Sequence, residues 1–124
     1  MFSPDIWMWI ACGLSAATFL LHMIPGAKAN VPPLLASDMK PQPKFTNYYC
    51  WEIVSITILA LAVFFGLAAL YPTAWELGLA ATLLSGSFAL LSLFVAYKGK
   101  VSIWLLPQWI FFGVICIAGA LAFL

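Results

Sequence analysis

Apolar residues fill this chain in four long blocks, residues 6–25, 49–71, 77–96 and 103–124, and most of the charged and proline-rich sequence falls between them. Each block reaches the ~20 residues that a helix needs to cross a ~30 Å hydrocarbon core. The pattern predicts an all-α integral membrane protein with one four-span transmembrane domain over residues 1–124. Two of the three connections are tight, around Pro72–Glu76 and Lys98–Lys100. Short connections make sequential helices antiparallel neighbours, so the expected architecture is an up-down four-helix bundle.

Composition closes off the soluble alternative. With 65% hydrophobic and 7% charged residues in 124, a water-soluble fold of this size has too little polar surface to cover the apolar remainder. All five basic residues are lysines, and Lys28, Lys40, Lys44, Lys98 and Lys100 fall in the two connections that share one side of a bilayer. Asp5 and Glu76 flank the other side. This bias predicts cytoplasmic lysine loops and both termini outside, in a bacterial cytoplasmic (inner) membrane. The first block is expected to be a retained anchor and not a cleaved signal, because residues 1–5 carry no basic charge and the positive flank follows the span. Trp7, Trp9, Tyr71 and Trp75 form an outer aromatic belt, and Tyr48, Tyr49, Trp51, Tyr97 and Trp104 an inner one. In the long connection, residues 26–47, prolines 32, 33, 41 and 43 predict little regular structure. Its Pro32-Pro33-Leu34-Leu35 stretch is apolar enough to rest among headgroups, with Lys40 and Lys44 facing anionic lipid.

Helices in lipid associate through close approach of small side chains. The third block carries Gly78, Thr82, Ser85, Ala89, Ser92 and Ala96, spaced by four and three in alternation, which predicts a packing seam along its whole length. Shorter small-residue stripes are expected at Ala11, Ser15, Thr18 and His22, at Glu52, Ser55, Leu59, Ala62 and Gly66, and at Gly113, Cys116 and Ala120. They serve packing within the chain or between copies.

Chemistry is sparse. His22, Glu52 and Gln108 fall near one depth at the lysine end, and a carboxylate there needs a partner. Three readings are open: a structural polar clasp in which the three satisfy one another, a proton-linked site in which Glu52 and His22 exchange a proton, and a haem site with His22 as axial ligand. The last needs a second copy or a partner subunit, because one histidine per chain falls short of the usual ligand pair. Cys12, Cys50 and Cys116 follow neither metal-ligand nor disulfide spacing. No nucleophile stands near a base, and no phosphate loop or basic groove for nucleic acid is present, so neither catalytic residues nor a cofactor are expected. The functional expectation is a small structural or accessory subunit, packing against membrane lipid and against other membrane subunits or copies of itself. The alternative is a homo-oligomeric proton-linked transporter or channel that uses Glu52 and His22.

The orientation has a direct test. With the native cysteines replaced, Asn30→Cys and Gly99→Cys are expected to be shielded from an impermeant thiol reagent added outside intact cells, and Thr73→Cys to label. Labelling of Gly99→Cys from outside would reverse the assignment.

Overall fold

The computed structural model describes residues 4–124; residues 1–3, on which the reading of a non-basic leader partly rests, lie outside the described residues. All regular structure among the described residues is helical. Helix α1 (Pro4–Leu21) runs through a π turn (His22–Gly26) into α2 (Ala27–Leu35), followed by α3 (Pro41–Leu70), a 3₁₀ turn (Pro72–Ala74), α4 (Trp75–Gly99) and α5 (Gln108–Leu121). Three stretches, Asp5–Leu35, Pro41–Leu70 and Pro72–Gly99, are long and apolar enough to cross a membrane, while α5 is a shorter apolar helix of 14 residues.

Two departures from the sequence expectation have a common source in proline. The connection over 26–47 is not irregular: it is a helical hairpin of α2 and the start of α3, closed by residues 36–40. Pro25 is stepped over by the π turn, whose longer bonding interval tolerates a missing N–H. A Cβ at Gly26 would stand 3.0 Å from the Leu21 carbonyl oxygen, so this turn favours glycine there. Pro32 and Pro33 lie in α2, which buries none of its residues, so carbonyls that lose an amide partner remain open to solvent. Pro41 and Pro43 start α3, where the first N–H groups have no intrahelical partner in any case. The hairpin is tied by Lys44 Nζ donating to the Leu35 carbonyl at 3.2 Å.

The fourth block, expected to be helical from residue 103, becomes helix only at Gln108, with Pro107 as its N-cap. Proline disfavours helical geometry in the residue before it. Helix α4 ends with Lys100 in the left-handed region (φ 54°). There Lys100 N–H donates to Tyr97 and Val101 N–H to Ala96, which satisfies two of the last carbonyls of α4. The carbonyl of Ile103, which Pro107 cannot serve because it has no N–H, accepts the Trp109 indole N–H at 3.0 Å.

The helices close into a ring in which α1 packs on α3, α3 on α4, α4 on α5 and α5 back on α1. Cys12 lies beside Gly66 and His22 beside Ser55, while Thr82 lies beside Gly119 and Gly86 beside Cys116, so both pairs run antiparallel. The centre is filled by Ala11, Ile58, Leu61, Phe65, Ala81 and Ile115. Ser15, Thr82 and Ser85 are buried among them, and each hydroxyl donates to the carbonyl four residues back. A hydroxyl satisfied by its own helix needs no partner across the interface, so it packs as a small side chain.

Along α4, Gly78, Thr82, Ser85 and Ala96 are buried and Ala89 and Ser92 half-buried. Gly78 receives the Met8 side chain, and Ser92 Oγ donates to the Leu106 carbonyl at 3.1 Å. Other stripes are placed differently. In α3 Leu59 is 48% exposed and Ile58 takes the interior position. In α5 the inward residues are Phe112, Ile115, Ala118 and Gly119, whereas Ala120 faces out and a Cβ on Gly113 would meet nothing within 4 Å. The reason is complementarity: the small side chains of α4 leave space that Phe112 and Ile115 occupy, with Phe112 meeting Phe88 edge to face at 5.3 Å.

Glycine positions give a graded test of this packing. A Cβ on Gly119 would run into the Thr82 hydroxyl and come to 3.0 Å from the Phe65 ring, both held in the core. Gly119→Ala is expected to lower stability by about 1–3 kcal/mol in detergent unfolding. Gly113→Ala, with open space beside it, should leave stability unchanged or raise it by up to about 1 kcal/mol through helix propensity.

Candidate functional site

At the lysine end of the α1–α3 interface three side chains form one closed unit. His22 opens the π turn, and Trp51 and Ser55 lie four residues apart on the facing side of α3. His22 Nε2 is 2.9 Å from Ser55 Oγ, and Ser55 Oγ donates to the Trp51 carbonyl at 3.1 Å. The serine hydrogen is thereby spent on the carbonyl, so its oxygen is left to accept. With the serine hydrogen so placed, Nε2 is the donor of the pair. The imidazole also stacks on the Trp51 indole, with centroids 4.0 Å apart and planes 17° from parallel.

The backbone makes room for that stack. Gly26 lies four residues after His22, on the same face, and a Cβ there would come to 3.6 Å from the Trp51 Cη2. The indole therefore fits against both the histidine ring and the glycine backbone. Its Nε1 is buried and has no hydrogen-bond partner.

The expected trio of His22, Glu52 and Gln108 is not assembled. Among the described residues, neither Glu52 nor Gln108 makes a side-chain hydrogen bond, and no ion pair joins Glu52 to His22. Glu52 is half-buried, one residue round the helix from Trp51 and so about 100° off the line of contact with α1. Gln108 is exposed, because α5 begins with it and turns other residues inward. The inward line of α3 runs through Trp51, Ser55, Ile58, Ala62, Phe65 and Ala69. This line has the same alternating four-three spacing that identifies the seam of α4, and that rhythm would have found Ser55 and Trp51. Trp51 was instead assigned to the aromatic belt, and Ser55 to a stripe with Glu52 and Leu59.

The remaining candidates are dispersed. Cys12 and Cys116 are half-buried, Cys50 is exposed, and all three are free thiols. Among the described residues no group of three or more His, Cys, Asp or Glu side chains is placed to hold a metal ion. Two open depressions mark the surface. One of about 300 Å³ lies at the acidic end beside Asp5, Met8, Pro72 and Trp75. Another of about 350 Å³ lies between α2 and α3 beside Asn30, Asn47 and Trp51. Comparison of the chain with protein-family models, curated proteins and solved structures gives no match.

Removing either half of the clasp should be felt. His22→Ala and Ser55→Ala are each expected to cost about 1–3 kcal/mol in detergent unfolding, with the double variant costing less than the sum. Glu52→Gln, which breaks no bond, should stay within about 0.5 kcal/mol. A larger loss at Glu52 than at His22 would mean that the carboxylate carries the interface.

Proposed function

We propose that this protein is a small structural or accessory subunit of a membrane assembly, packing against other membrane subunits or against copies of itself. In this reading the helices span a bacterial cytoplasmic membrane as one four-span domain, with the lysine connections inside and both termini outside. No catalytic step is part of it.

The observation that supports the reading most is the filled interior. Phe65, Ile58, Leu61 and Ile115 are almost wholly buried where the four helices meet. The hydrogen bond that links the π turn to α3, His22 with Ser55, is closed on itself and covered by an indole. A pathway for solute needs a wet, open lining, and a single copy offers tight packing in its place. Its outer faces carry Ile56, Leu83 and Leu90, each highly exposed, which suits contact with lipid or with another apolar surface.

One observation stands on the other side. Glu52 is half-buried without a bonded partner among the described residues. An unpaired carboxylate at such a position favours the alternative of a homo-oligomeric transporter or channel in which Glu52 takes part.

Mass measurement of the intact assembly released from mild detergent separates the readings. An accessory subunit is expected in a multiple of 13.5 kDa or together with larger chains. A lone chain in detergent and in lipid nanodiscs alike would overturn both readings. A pure homo-oligomer that carries a pH-dependent flux in liposomes, lost in Glu52→Gln, would favour the transporter.

A further inference from the structure

The hairpin of α2 and the start of α3 holds a cleft whose lining has two characters. Val31, Leu34 and Met39 are apolar, and Asn30, Asn47 and Trp51 bring polar groups to the same space of about 350 Å³. The two amides are fixed in place. Asn30 Nδ2 donates to the Gly26 carbonyl and Asn47 Nδ2 to the Pro43 carbonyl, each at 2.8 Å. The Asn30 NH₂ keeps a second hydrogen for a ligand, and the second hydrogen of Asn47 has only the weak Met39 sulfur as acceptor at 3.9 Å, which an oxygen ligand would displace. Trp51 adds an indole N–H that no acceptor in the protein answers; it is buried, so a ligand oxygen reaches it only with a small shift of the ring.

Depth and charge restrict what fits there. At ~1.5 Å per residue, Trp51 lies about 28 Å along α3 from Leu70, close to the ~30 Å thickness of a hydrocarbon core. Asn47 and Asn30 then fall in the headgroup layer. Lys28 stands one turn before Val31, Lys44 one turn before Asn47, and Lys40 follows Met39. The acidic residues of this end, Asp38 and Glu52, do not line the cleft. With Lys98 and Lys100 the end carries five lysines against those two carboxylates, while the opposite end carries Asp5 and Glu76.

We propose that the α2–α3 cleft binds the phosphodiester headgroup of one anionic phospholipid. Headgroup oxygens accept from the Trp51 indole and the two asparagine amides, neighbouring lysines balance the charge, and acyl chains run down the exposed Leu21, Ile24 and Ile53. This inference rests on the reading above that the lysine end lies at a bilayer surface. It differs from general attraction of lysines to anionic lipid by requiring one molecule, held by uncharged donors as well as by charge.

The test uses the full chain in nanodiscs that contain equal parts phosphatidylglycerol and phosphatidylcholine, followed by native mass spectrometry. The wild-type protein is expected to retain one phosphatidylglycerol. Trp51→Phe, which keeps a stacking ring for His22 but removes the N–H, and Asn47→Leu should each weaken retention about tenfold, with helical content unchanged. Lys44→Gln should reduce the preference for phosphatidylglycerol. Equal retention of the two lipids, or undiminished retention in both Trp51→Phe and Asn47→Leu, would overturn the site. Displacement of the lipid by inorganic phosphate alone would make it a soluble-anion site and overturn the lipid assignment. A chain that does not enter nanodiscs as a helical protein would overturn the membrane reading, whereas one that enters without headgroup selectivity overturns this inference alone.

Discussion

Close approach of helix backbones is the constraint from which the rest of this structure follows. In a bilayer, apolar side chains gain little by leaving lipid for one another, so helices must be held by dense van der Waals contact over short distances. Here α4 and α5 come so near that Gly119 has the Thr82 hydroxyl and the Phe65 ring where a methyl group would be. Gly78 likewise leaves space that the flexible end of Met8 fills. Because Ser15, Thr82 and Ser85 turn their hydrogens back to their own helices, these hydroxyls pack densely and need no polar partner across the interface. Larger side chains then occupy what the small ones leave, and this decides which way α5 faces.

The lysine end obeys the same constraint with different chemistry. Pro25 would interrupt a regular helix, and the π turn that accommodates it brings His22 and Gly26 onto the face that meets α3. Gly26 admits the Trp51 indole, the indole covers the His22 ring, and the ring reaches Ser55. A helix distortion, a glycine and a hydrogen-bonded pair thus act as one unit, and each loses its purpose without the others. The polar group left over is the indole N–H. It lies beside the cleft of the α2–α3 hairpin, so the packing solution for the bundle and the proposed headgroup site share one residue.

The helical content and three of the four long apolar blocks were legible in the sequence because hydropathy sums over a window and needs no knowledge of neighbours, while the fourth block forms a helix of only 14 residues. The buried or half-buried positions along α4 were also legible, since their spacing repeats at the period of a helix seam. Proline misled twice, over residues 26–47 and 103–107. It is a breaker in a helix interior but a good starter in a first turn, and the difference depends on where the turn begins. The site was half legible. His22 stood out as the lone histidine, yet its partner was assigned by charge to Glu52.

By itself, then, the chain determined its helical class, the long apolar blocks, three of which form helices fit to cross a membrane, and the placing of every basic residue in two connections. Each of these depends on residues close together in sequence, so local composition is enough. Tertiary structure decided which face of each helix turns inward, why Ser55 and Trp51 bond to and stack on His22 while Glu52 and Gln108 form no hydrogen bond with it, and that the proline-rich connection folds into a hairpin with a cleft. These outcomes turn on shape complementarity between side chains far apart in sequence. A rotation of about 100° separates one residue from the next on a helix, so a small change in how two helices interlock replaces one contact residue by its neighbour.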